Sequence, residues 1–125
     1  MINLFLDDLR PVPKGFILVK TVEEAIELVA HHPVKILSLD HDLGGLDGNY
    51  HKTGYDFCKW LVEKWESYRE INIINNVALP EIIYLHTANP VGRMNMHQLL
   101  TRYKPDYVKV HNSPIPNWLA AENEY

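Results

Sequence analysis

The chain has 125 residues, 46% hydrophobic and 22% charged, the balance of one globular domain over 1–125 rather than of a disordered segment. Its net charge of −4 argues against bulk nucleic-acid or anionic-membrane binding, and no apolar run approaches the roughly 20 residues that span a bilayer. Cys58 has no partner for a disulfide and MINLFLDD lacks the basic start of a signal peptide, so the expected compartment is the cytoplasm.

Ile2 to Leu6 reads as a strand that stops at Asp7-Asp8, with Arg10-Pro11 behind it. Lys14-Gly15 signals a turn and Phe16 to Val19 a second short strand. Thr21-Val22-Glu23-Glu24 fits a capping box, and Val22, Ala25, Ile26 and Val29 then mark one apolar helical face. The helix ends near His32 because Pro33 disfavours α conformation in the residue before it. His31 and His32 are placed to meet the carbonyls of that helix end.

Val34 to Leu39 is a third strand, apolar enough to be buried on both faces, and it breaks off in Asp40-His41-Asp42 and glycine. Gly44 to Thr53 reads as a loop. From Gly54 a helix buries Phe57, Cys58, Leu61, Val62 and Trp65, with Cys58 a core residue and Trp60 and Tyr68 packing groups. Ile71 to Leu79 is broken by Asn72, Asn75 and Asn76 and has no clear element. Glu81 to Leu85 is a strand ending in His86-Thr87-Ala88-Asn89-Pro90. A helix follows from about Gly92 to Tyr103, with Met94 or Met96, Leu99 and Leu100 inward. Tyr107 to Val110 is the last strand, and the tail with Trp118 and Leu119 forms a short covering helix.

Strands separated by helices give βαβ units and a parallel sheet. Right-handed crossovers bring the carboxyl ends of such strands to one edge, where α/β proteins hold their ligands. Asp7-Asp8, Asp40-His41-Asp42, His86-Thr87 and His111 each follow a strand, so sequence-distant clusters converge on one crevice. Asp7, Asp8, Asp40 and Asp42 there form a carboxylate set suited to Mg²⁺ or Mn²⁺. His86 and His41 beside them supply general acid and base near neutral pH. His51 and His97 have no strand-end context, and a helical HD phosphohydrolase motif is excluded because His41-Asp42 ends a strand.

LFLDDLR, SLDHDLGGLDG and Thr87-Ala88 together resemble the receiver domain of response regulators, with Asp40 at the phosphoacceptor position. The resemblance implies a three-layer, doubly wound α/β fold with a parallel five-stranded sheet in the flavodoxin-like order 2-1-3-4-5. Asp7 to Asp40 is too short for the usual two helices, so the first is reduced. Gly44 replaces the usual proline, and Lys109 falls one residue before the place of the receiver lysine.

The departing pattern DDxR, LDHDLG, TGYD, HTANPVG is similar to the cyclic-phosphate processing receiver family. That resemblance implies metal-dependent hydrolysis of a small cyclic phosphate, ribose-linked or nucleotide-derived, to a phosphomonoester. Within it Arg10 and Arg93 would bind the phosphate, with Thr87 and the Asn89 turn as further contacts. The rival reading is a receiver-like signalling or ligand-binding module without catalysis. A strand-joining nuclease would need an upstream Glu where the chain has Asp7-Asp8.

Overall fold

The computed structural model describes residues 1–44, 52–117 and 119. The strands are β1 (Ile2–Leu6), β2 (Ile17–Val19), β3 (Val34–Leu39), β4 (Ile82–Leu85) and β5 (Lys109–His111). The helices are α1 (Val22–His31), α2 (Gly54–Glu70) and α3 (Pro90–Tyr103), and the Asn-rich stretch forms a short 3₁₀ turn at Ile74–Asn76. All strand pairs are parallel and the order is β2-β1-β3-β4-β5, the receiver-like, flavodoxin-type sheet. Between β1 and β2 lies loop instead of a helix. No described helix is long and apolar enough to cross a membrane.

Alternation along each strand sorts the side chains onto two unequal faces. Leu4, Leu6, Leu37, Leu39, Ile83 and Leu85 meet Ala25 of α1, Phe57, Leu61 and Trp65 of α2, and Met96 and Leu100 of α3 in one large core. The opposite face carries Phe5, Ile36 and Tyr84, and its cover is thin: Phe16 from the β1–β2 loop, with Ile115 and Leu119 from the C-terminal segment. The expected covering tail is thus represented by Leu119, while Trp118 lies outside the described residues. Residues 45–51 of the expected loop, His51 included, also lie outside them.

The element ends differ from the sequence reading by one or two residues, each for a local reason. Thr21 caps α1 as expected, its hydroxyl accepting the Glu24 N–H, though the hydroxyl, not the backbone N–H, then donates to Glu24. The reciprocal capping box sits instead at TGYD: Thr53 Oγ1 accepts from Asp56 N and Asp56 Oδ2 accepts from Thr53 N. Asn89 caps α3 by accepting from Gly92 N, so the helix begins at Pro90, the first-turn position proline favours. Of the two candidate methionines Met96 is the buried one, and Met94 is half exposed. His31 Nδ1 meets the Glu27 carbonyl in the last turn of α1.

Gly54 and Gly92 are where the backbone comes too close for a side chain. Gly54 N donates to the His41 carbonyl at 2.8 Å, and a methyl on Gly54 would overlap the Asp40 carbonyl oxygen. A methyl on Gly92 would meet the His41 ring, 2.8 Å from its Nδ1. Gly54→Ala is therefore expected to destabilise the fold by about 3 kcal/mol, because neither the helix start nor the strand end can yield. Chemical denaturation checks it; a loss under about 1 kcal/mol would show that the α2 start moves freely.

Candidate active site

The sheet register builds the site. Leu6 pairs Leu39 and Leu39 pairs Leu85. One step further, Asp40 N donates to Leu6 O and His86 N to Leu39 O, so Asp7, Asp40 and His86 stand in one row across three adjacent strands. The row below is Phe5, Ser38 and Tyr84. Both rows lie on the thinly covered face.

His86 is the best-anchored group of the row. Its Nε2 lies 2.9 Å from Asp7 Oδ2 and its Nδ1 2.7 Å from Ser38 Oγ. Its ring stacks on Phe5, centroids 4.2 Å apart and planes 2° from parallel. Burial holds His86 below the ordinary histidine pKa, against the upward pull of Asp7 and Asp40, and Arg10 pushes it down further. Burial alone would raise Asp7. The N–H groups of Arg10 and Leu9, both on Oδ1, and the His86 imidazole outweigh it and keep the carboxyl below the usual range. Neutral His86 beside ionised Asp7 carries its proton on Nε2, since a carboxylate only accepts, and Ser38 then donates to Nδ1.

These shifts give acid sensitivity with a definite sign. Unfolded, His86 titrates near 6.5. As the pH falls through that value the unfolded chain binds a proton that the native state refuses, so stability declines by up to about 1.4 kcal/mol per pH unit. Asp7 acts lower: its contribution, present above the ordinary value of 3.8, is lost only as the pH falls through its depressed native pKa. Melting between pH 7 and 5 is expected to fall more steeply in the native protein than in His86→Gln. Parallel curves would remove His86 as the cause.

Arg10 braces the row: Nη1 donates to the His86 carbonyl at 2.6 Å, and Nε lies 3.8 Å from Asp7 Oδ2. The side chain is 44% exposed, so it is open to solvent while braced in the row. Asp8 uses one oxygen, Oδ2, to accept from Gly44 N at 2.7 Å, and its other oxygen is buried with no hydrogen-bond partner among the described residues.

The remaining sequence candidates form a second group. His41 follows Asp40 and so turns to the helix side, its ring against Gly92. Its Nδ1 is 2.7 Å from Asp42 Oδ1, and Asn89 Nδ2 reaches Asp42 at 3.2 Å. The His41 hydrogen bond leads in holding Asp42 below the usual carboxylate range; desolvation opposes it and Asn89 assists. His41 Nε2 makes no hydrogen bond among the described residues. Thr87 is buried, with Oγ1 accepting from Asn89 N. Arg93, in the first turn of α3, donates its backbone N–H to the Asn89 carbonyl, while its side chain has no hydrogen bond or ion pair among the described residues. Lys109 opens β5 opposite Ile82, two same-face positions before His86.

Ser38 is the residue the sequence reading passed over. The signal was a lone hydroxyl inside a buried strand, two positions and therefore one same-face step before Asp40.

Of the proposed residues, Asp7, Asp40 and His86 offer ligand atoms that all lie within 4.8 Å of one another. Such a set can hold a cation, orient an anion or relay a proton. No curated protein and no solved structure matches the chain. The family model described as the cyclic-phosphate processing receiver domain matches residues 2–102. That match takes in β1 to β4 and nearly all of α3, including the Asp7, Asp40 and His86 row, and the chain belongs to the cyclic-phosphate processing receiver domain family.

Proposed function

We propose that this protein hydrolyses a small cyclic phosphate, ribose-linked or of the nucleotide 2′,3′ type, to a phosphomonoester with the aid of a divalent cation. The observation that carries the reading is the Asp7–Asp40–His86 row: two carboxylates and an imidazole within 4.8 Å at a strand-end edge.

The donor set fits a cation. Asp7 and Asp40 repel when both are ionised, and the buried Oδ1 of Asp8, without a hydrogen-bond partner among the described residues, adds a further acceptor. Asp7, Asp40 and His86 would hold the ion, with Asp8 beside them. An imidazole in an otherwise oxygen set favours Mn²⁺ over Mg²⁺. Such an ion supplies Lewis acidity toward a phosphoryl oxygen and an acidified water.

The chain's own groups do the rest. The solvent-open side chain of Arg10 binds a non-bridging oxygen of the phosphate, and Arg93 is a second cation available to it. His86 has both ring nitrogens committed inside the row, whereas His41 keeps Nε2 open and has Nδ1 fixed by Asp42. We therefore assign proton transfer to His41 and cation binding to His86, with Asp42 orienting His41 rather than ligating. Water forms the new P–O bond, the ring P–O bond breaks, and the sugar oxygen leaves with the proton. Thr87 and Asn89 shape the turn that holds this dyad. A single, fully buried cysteine is compatible with a reducing cytoplasm.

The test is a panel of cyclic phosphates assayed with Mn²⁺, Mg²⁺ and EDTA, alongside melting curves. At a hundredfold excess over Kd a bound cation contributes about 2.7 kcal/mol, which is several degrees in Tm. Ring opening is expected only with the cation present. A Tm indifferent to both ions, together with an unhydrolysed panel, removes the reading.

A further inference from the structure

We propose that Ser38 is a positioning residue of the cation site: its hydroxyl partners His86 Nδ1 in either tautomer, so the ring can turn Nε2 from hydrogen-bond donor to cation ligand without moving. The inference rests on the function proposed above and extends it to a residue to which the family resemblance assigns no role.

Ser38 is 0% exposed, in the middle of β3, and its Oγ lies 2.7 Å from His86 Nδ1. A hydroxyl buried in a strand core is unfavourable unless it is bonded, so the site has a reason to keep it. Phe5 and Tyr84 flank Ser38 in the same row, and Phe5 stacks on the imidazole. The ring is thereby fixed in plane by Phe5 and in rotation by its two nitrogen contacts.

The chemistry follows from what each contact can do. With the row empty, Asp7 is an acceptor only, so Nε2 bears the hydrogen and Nδ1 needs a donor, which Ser38 supplies. A cation ligated by Nε2 needs the lone pair there, and the proton then resides on Nδ1 and requires an acceptor. Ser38 can be that acceptor, because a hydroxyl both gives and takes a hydrogen bond and turns to suit. A carboxylate could only accept and an ammonium only donate. Serine serves the imidazole in both states, so the tautomer changes while the ring stays in place. Metal-ligating histidines depend on such a partner for the second nitrogen, and losing it commonly costs 10–100-fold in metal affinity.

The decisive comparison is Ser38→Thr against Ser38→Val, which are nearly the same shape and differ by the hydroxyl. Mn²⁺ affinity measured by calorimetry is expected within a few-fold of wild type for Ser38→Thr and 10–100-fold weaker for Ser38→Val. Nitrogen NMR of the wild type with diamagnetic Zn²⁺ is the second measurement, independent of whether Ser38→Val folds. The His86 proton is expected to move from Nε2 to Nδ1 as Zn²⁺ binds. Equal Mn²⁺ affinity in the two variants, or an unchanged His86 tautomer in Zn²⁺-loaded protein, overturns the role of Ser38 and leaves the hydrolase reading intact. A wild type that binds neither ion overturns both.

Discussion

Asp40→Asn is expected to abolish cation binding and to lower kcat/KM by roughly 10³-fold or more, the equivalent of several kcal/mol of lost Lewis-acid stabilisation. The change is nearly isosteric. The amide oxygen can still accept the His41 N–H that now rests on Asp40 Oδ1 at 2.8 Å, so the strand end keeps its shape. What disappears is one of two negative charges in the Asp7–Asp40–His86 row. Without cation the variant is expected to melt no lower than wild type, because like-charge repulsion with Asp7 is relieved. With Mn²⁺ only the wild type rises. A variant that lost activity and also melted several degrees lower in EDTA would have failed through folding, and a variant still stabilised by Mn²⁺ would remove Asp40 from the ligand set.

His41→Ala is the second large effect, and it has the opposite signature. Loss of a general acid or base lowers kcat by roughly 10²–10⁴-fold. The stabilisation by Mn²⁺ should persist, since His41 points to the Gly92 side of the strand end and lies outside the group of converging ligand atoms. Asp42→Asn is expected to fall between wild type and His41→Ala, because it weakens the contact that orients the ring without removing the nitrogen. His86→Ala should abolish the Mn²⁺ response. If His86→Ala keeps that response and loses only kcat, the two histidines exchange roles.

How much of this could be read from the sequence depends on whether a property is set by order along the chain or by direction in space. Strand ends are set by order: the apolar runs that stop at Asp7, Asp40 and His86 were enough to bring those three residues together. The direction of neighbours was harder. Asp8, His41 and Asp42 sit beside the row in sequence and were grouped with it, yet His41 and Asp42 form their own hydrogen-bonded pair with Asn89. The alternation of the strand carries on past its end, so His41 falls on the side opposite Asp40, where its ring meets Gly92 of the next helix. Ser38 was invisible for a different reason. One serine in VKILSL reads as a tolerated polar residue until a histidine from β4, distant in sequence, is seen on top of it. TGYD and the final glycine of HTANPVG were visible as motifs, but their reason was not: a cap with a close backbone approach, and a gap for an imidazole.

The separation of Asp40 from His41 onto two sides of one strand end has a consequence for how such a chain can change over time. Under the proposed function, consecutive positions carry different trades, one binding the ion and the next moving the proton. Substitution alters one trade at a time and leaves the other in service. A single-residue insertion or deletion within β3 alters both together, since it would aim the imidazole into the row and press a carboxylate toward Gly92. The lineage of this site should therefore drift by replacement and hold its spacing from Val34 to Asp40 fixed, even where loops on either side grow or shrink.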